Sequence, residues 1–223
     1  MQIAIENISK KYGRKTVLSG ASFAASSGEC IGILGVNGCG KSTLLSILAG
    51  VLKSDGGAFV CDGVDLLRAP SELSKTVGFV PQGTPLIEEL SAKDNLSLWY
   101  SRKAMQQALQ SGALSMLGIG EFLNKRVSKL SGGMKKRLSI GCAIAGKPRI
   151  LLLDEPMSAL DIFCKQNIKD YLQAYKQSGG ILVLVTHDAL ELSLCDRCYL
   201  LKDGKLQEFS YSGDSEQLVN SLL

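Results

Sequence analysis

The sequence predicts an α/β protein, an alternating strand–helix core interrupted by one all-helical segment. Three observations carry that expectation. Ile31-Gly32-Ile33-Leu34 is a short apolar run that fits a strand buried on both faces. After a glycine-rich loop, Leu44, Leu45, Ile47 and Leu48 follow it at helical spacing. Ile150–Leu153 and Ile181–Val185 are wholly apolar and read as further strands of the same kind. From about residue 90 to 147 no strand pattern occurs, and the composition is helical.

The elements follow in order. Gln2–Ile8 alternates weakly and reads as a strand. A turn at Tyr12-Gly13-Arg14-Lys15 leads to two more strand candidates, Thr16–Leu18 and Ala21–Ala25. Ser26-Ser27-Gly28-Glu29 turns into the central strand, and Ser54-Asp55-Gly56-Gly57 ends the first helix. Ala58–Cys61, a tight turn at Asp62-Gly63 and Val64–Leu66 suggest two short strands. Val77–Val80 is a strand closed by Pro81-Gln82-Gly83. Ser91 and Asp94 are spaced as a capping box, and residues 103 to 117 are helical by composition. Ser131 precedes a further helix, on which Lys135, Lys136 and Arg137 usually mean a solvated face. Basic charge at a helix start opposes the dipole, however, and makes more sense if an anion visits. An amphipathic helix runs to about Gln177 before Ser178-Gly179-Gly180. A hairpin about Asp203-Gly204 and a short C-terminal helix are expected to close the chain.

The chemistry gathers at strand ends. Gly35-Val36-Asn37-Gly38-Cys39-Gly40-Lys41-Ser42 has the spacing of a phosphate-binding loop between a strand and a helix. Its glycines let backbone N–H groups wrap an anion at a helix N-terminus. Lys41 can place its charge on the β- and γ-phosphates, and Ser42, followed by Thr43, offers a hydroxyl to Mg²⁺. The pattern implies binding of a nucleoside triphosphate. Ile150–Leu153 ends in Asp154-Glu155, where the first carboxylate can hold Mg²⁺ and the second can address the attacking water. Gln82 and His187, the only histidine, also stand at strand ends, where open α/β sheets bind ligands. Ser131-Gly132-Gly133 at a helix start offers a second phosphate site.

Composition narrows the possibilities. A net charge of +4 is too small to argue for nucleic acid. The first residues lack the regions of a signal peptide, and no apolar run approaches the roughly 20 residues of a spanning helix. A cytosolic chain is therefore expected. The seven cysteines are scattered, and Cys195-Asp-Arg-Cys198 has no second pair or histidine cluster, so reduced thiols are expected rather than a metal site.

Together these residues resemble the ATP-binding cassette (ABC) ATPase family over essentially the whole chain. Leu130-Ser131-Gly132-Gly133-Met134 looks like that family's signature sequence, and the order of the parts agrees. The resemblance implies a phosphate-loop NTPase (RecA-like) core with an N-terminal antiparallel β-subdomain and an inserted α-helical subdomain. Core boundaries of 1–82 and 147–223, with a helical subdomain at 83–146, are expected. By the same resemblance Tyr12 stacks on adenine, Gln82 senses Mg²⁺ and the partner, and Glu155 is the general base. His187 contacts the γ-phosphate, Ser131 and Gly133 reach the γ-phosphate of an opposite subunit, and Asp161 helps pair the two subunits. ATP and Mg²⁺ are the implied ligands. The implied partners are a second ABC subunit, identical or related, and a transmembrane permease. The chain would then sit on the cytosolic face of the membrane through the permease, without touching nucleic acid. A soluble ABC ATPase acting in macromolecular assembly is the alternative. Met134, Met157 and Ala159 depart from the family's usual glutamine, threonine or serine, and glycine. The run from Leu130 to Ser139 is similar to cassettes of the ABC-2 exporter type.

Overall fold

A computed structural model describes residues 1–210, so the expected C-terminal helix lies outside the described residues. β1 (Gln2–Tyr12) and β2 (Lys15–Ser26) form one long hairpin rather than a series of short strands. Register shifts between Ile5 and Ile8 and again near Tyr12 absorb the irregular sequence, and Asn7 takes φ 51° at the first of them. This hides the continuity from an alternation pattern, which such a bulge resets. β4 (Gly56–Cys61) and β5 (Val64–Asp65) complete an antiparallel sheet in the order β2-β1-β4-β5.

β3 (Cys30–Leu34), β6 (Val77–Val80), β7 (Ile150–Asp154), β8 (Ile181–Val185), β9 (Arg197–Lys202) and β10 (Lys205–Phe209) form the second sheet. Its order is β10-β9-β3-β8-β7-β6, parallel except for β10. β3, β7 and β8 are buried at every residue, as their unbroken apolar runs require. The hairpin sheet packs Ile3, Ile5, Ile8 and Phe23 into a core shared with Ile31, Ile33, Leu44 and Leu45. Each such side chain contributes about 1.5–3 kcal/mol by leaving water.

The main-sheet helices are α1 (Lys41–Leu48), α2 (Pro70–Thr76), α7 (Ile162–Gln177) and α8 (Ala189–Leu192). Between β6 and β7 lie only helices: α3 (Ala92–Ser97), α4 (Arg102–Ser111), α5 (Ala113–Met116) and α6 (Gly132–Ala143), with short 3-10 turns. The Ser91–Asp94 capping box forms as expected. The helical stretch expected over 103–117 is helical as two pieces, α4 and α5, divided at Gly112, whose backbone is extended; a Cβ there would lie 2.9 Å from the Ala108 Cα.

The register positions the site. Ile33 and Asp154 both align with Val185, and Val80 aligns with Leu153. The loops after β3, β6, β7 and β8 therefore leave the sheet at one level, along its carboxyl edge.

Candidate active site

Gly35, Gly38 and Gly40 take positive φ, which lets the loop after β3 curl its backbone inward. A Cβ on Gly35 would come within 2.7 Å of both the Cys39 Sγ and the Leu201 carbonyl oxygen. No heavy atom lies within 4 Å of a Cβ built on Gly38. Lys41 is 6% exposed and donates from Nζ to the carbonyl oxygens of Gly35 (2.5 Å) and Val36 (3.1 Å). The ammonium thus arches over the loop that precedes it.

A cavity of about 450 Å³ beside this loop is lined by Asn37, Gly38, Gly40, Lys41, Ser42, Thr43, Gln82, Asp154 and Glu155. These residues, distant in sequence, meet because the parallel strands β3, β6 and β7 end together. Gln82 donates from Nε2 to the Glu155 Oε2 at 3.0 Å, joining the loops after β6 and β7. Glu155 holds φ 47°, an uncommon conformation that turns the chain sharply after β7. Burial raises the Asp154 carboxyl above its usual pKa, while the Ser42 hydroxyl opposes the rise and the adjacent Glu155 reinforces it. His187 keeps an exposed edge. The packed side of its ring, then the Lys41 charge, hold its pKa below the usual value, and Glu155 opposes them. The Ser42 hydroxyl, the Gln82 amide oxygen and the Asp154 carboxylate are hard oxygen donors, the set that suits Mg²⁺.

Other expected residues lie elsewhere. Tyr12 is 51% exposed at the hairpin end, with the Lys10 ammonium 5.8 Å from its ring centre, and does not line the cavity. The Cys39 thiol packs back toward Gly35, so its side chain fills the turn. Ser131 caps α6 by accepting the Met134 N–H at 3.3 Å, and neither it nor Gly132 and Gly133 reaches the cavity of the same chain. Gly133 instead abuts α7: a Cβ there would lie 2.4 Å from the Cys164 Sγ and 3.6 Å from an Asp161 carboxylate oxygen. Asp161 caps α7 through the Cys164 N–H (2.9 Å), a bond that holds its carboxyl below the ordinary pKa.

The expectation of a solvated basic face on α6 fails for two of its three charges. Lys136 and Arg137 are each 5% exposed. Lys136 Nζ donates to the carbonyl oxygens of Pro81 (3.0 Å) and Gln82 (2.9 Å), clamping the Gln82 loop to α6. Arg137 donates to the Leu117 carbonyl at 3.1 Å and stacks 5.1 Å from the Phe122 ring centre. Their spacing to Ile140, four residues beyond Lys136, was the available signal that they share the packed side.

A model of the ABC transporter family matches residues 18–158. The chain is 37% identical over 209 residues to the Nod factor export ATP-binding protein I of Rhizobium etli, covering 91% of this chain and 66% of that protein. It is 36% identical over 214 residues to the spermidine/putrescine import ATP-binding protein PotA of Spiroplasma citri, covering 92% and 60%. The chain thus spans about two thirds or less of these relatives' own lengths. Among solved structures, a dimeric post-hydrolysis state of an ATP-binding cassette bound to ADP and Pi superposes with a TM-score of 0.82 at 30% identity, covering 93% of this chain and 98% of that one. With the phosphate-loop geometry, the two sheets and the helical insertion all in agreement, this chain belongs to the ABC transporter family of ATP-binding proteins.

Proposed function

We propose that this chain is the ATP-binding and ATP-hydrolysing subunit of an ABC transporter, pairing with a second cassette and driving a separate membrane permease. The observation that carries the proposal is the Gln82–Glu155 bond at the mouth of the phosphate cavity, which sets a carboxylate against the site where a γ-phosphate would end. In this reading Glu155 takes the proton of the attacking water, and His187 and Lys41 contact the γ-phosphate. Lys41 exchanges its bonds to loop carbonyls for bonds to phosphate oxygens. The backbone from Gly35 to Thr43, including Asn37, Cys39 and Gly40, wraps the phosphates, and Tyr12 meets the adenine from the hairpin end. Ser42, Gln82 and Asp154 hold Mg²⁺, which when bound neutralises charge on the β- and γ-phosphates.

The distance of Ser131, Gly132 and Gly133 from their own chain's cavity supports a composite site, completed by the second subunit, with Asp161 beside the contact. Ile162 and Phe163, 74% and 81% exposed beside Asp161, supply apolar surface for it. Among the described residues no helix is long and apolar enough to cross a membrane, which supports membrane attachment through another protein. A groove of about 770 Å³ between core and helical insertion, lined by Val51, Phe79, Pro85, Leu86, Trp99 and Cys142, borders Gln82. It supports docking of a helical segment of the permease, with Lys136 carrying motion of the Gln82 loop to α6. The division into a core of 1–82 and 147–223 and a lobe of 83–146 follows the same logic.

Glu155→Gln tests the assignment. The amide keeps the shape but accepts no proton, so turnover should fall by about 10²–10⁴-fold while ATP still binds. A loss below about tenfold contradicts the general-base role.

A further inference from the structure

Glu191 on α8 is 1% exposed, a buried carboxylate with no part in the chemistry above. Its Oε1 accepts the backbone N–H of Met157 at 2.6 Å, and its Oε2 is buried without a hydrogen bond. The Thr186 hydroxyl lies near enough to lower the carboxyl's pKa but outside hydrogen-bond geometry with Oε2. Burying a carboxylate so incompletely paired is costly, and such groups persist where they fix something. Glu191 joins two loops. Met157 opens the segment that runs through Ala159, held at φ 56°, to the α7 cap Asp161. Thr186 immediately precedes His187, and its hydroxyl oxygen accepts the Asp188 N–H at 2.9 Å. A second tie runs in parallel, from Lys165 of α7 to Asp188 at 2.5 Å.

We infer that Glu191 is a positioning residue that couples the loop carrying His187 to the Met157–Asp161 loop, and so holds the histidine in register with the neighbouring subunit's approach. The inference rests on the proposed ATPase reading, because it assigns Glu191 no contact with nucleotide. The ionised carboxylate makes the stronger acceptor for the Met157 N–H. Burial pushes the carboxyl up to about 7, against the pull of the Met157 N–H. The charges and thiols facing it are Asp188 on its own loop, Lys165 on α7, Lys136 on α6 and Cys195 beyond α8. Asp188 opposes ionisation and Lys165 favours it. Asp154 and then Glu191 help keep Lys136 charged against its burial. The tie therefore weakens as pH falls through about 7.

The test measures kcat, nucleotide Kd and the pH profile of kcat for wild type, Glu191→Ala and Glu191→Gln. Glu191→Ala should lower kcat about tenfold with Kd changed less than about twofold, the split expected when only the reacting geometry is disturbed. Glu191→Gln keeps an acceptor for Met157 but cannot titrate. It should regain most of the lost kcat and flatten the fall in kcat between pH 8 and 6. If Glu191→Ala does not fold, the Glu191→Gln profile decides alone. Wild-type and Glu191→Gln profiles that superimpose overturn the inference. Absence of turnover in wild type refutes the ATPase reading instead.

Discussion

Replacing Lys136 by Met separates stability from catalysis in a way worked directly from the structure. The ammonium makes two hydrogen bonds, at 3.0 and 2.9 Å, to the Pro81 and Gln82 carbonyls. Bonds to a charged group contribute about 1.5–3 kcal/mol each. Holding an ammonium at 5% exposure costs several kcal/mol in the opposite sense, and burial does lower its pKa. Gln82 itself is exposed, so water can replace the lost donor at its carbonyl. The two large terms nearly cancel, leaving a net effect of about 1 kcal/mol, or about 2–4 °C in Tm. Turnover has no such compensation. Without the clamp, Gln82 is no longer fixed against Glu155, and a displacement of about 1 Å costs up to about 10²-fold. Steady-state ATPase assays should therefore show a loss of at least about tenfold, beside a thermal transition close to wild type. Lys135→Met is the control. Its partner Glu88 is 59% exposed in the side chain, and such a surface pair contributes about 0–1 kcal/mol. A Lys136→Met protein retaining turnover within about twofold refutes the reasoning.

Three further outcomes are expected. Lys41→Ala should weaken ATP binding as well as turnover, because in the proposed reading the ammonium binds ground-state phosphates; unchanged affinity in a calorimetric titration contradicts this. Ala159→Gly should raise stability by about 1 kcal/mol in thermal unfolding, because φ 56° strains a residue with a Cβ, and a lower Tm counts against the strain. Glu191 carries a pH dependence of fixed sign. Its folded pKa, about 7, exceeds the ordinary 4.5 because burial favours the neutral carboxyl. That contribution to global stability is therefore complete below 4.5 and lost as pH rises through 7, although the ionised form makes the stronger local bond to Met157. Glu191→Gln removes that loss, and its Tm relative to wild type should rise by about 4–8 °C between pH 5.5 and 8, roughly 2 kcal/mol. A constant difference across that range contradicts the raised pKa.

What the sequence makes legible is local. A glycine-rich turn between an apolar strand and an apolar-faced helix is written in about twenty consecutive residues, and β3, the loop and α1 follow from it. The apolar runs of β7 and β8 are equally explicit, as are Asp154, Glu155 and His187 at their ends. Strand order and register are not written locally. That Asp154 and Ile33 face the same Val185 depends on side chains packing across the sheet. The hairpin's continuity was hidden by its bulges, and α2 is too short for a helical period to emerge. The buried charges were the hardest to anticipate. A lysine reads as solvated unless its carbonyl partners are known, and those of Lys136 lie 54 and 55 residues away. Glu191, whose Met157 partner lies 34 residues away, was concealed in the same manner.

The central claim is that one chain's phosphate loop works with the other chain's Ser131, and complementation measures it most directly. Lys41→Ala and Ser131→Arg are each expected to be inactive as pure proteins. Mixed and re-paired, they form heterodimers in which one site joins an intact Lys41 to an intact Ser131 on the opposite chain. Random pairing makes half the dimers mixed, each with one of two sites restored, so turnover should return to about a quarter of wild type. A mixture no more active than its two parents contradicts the composite site.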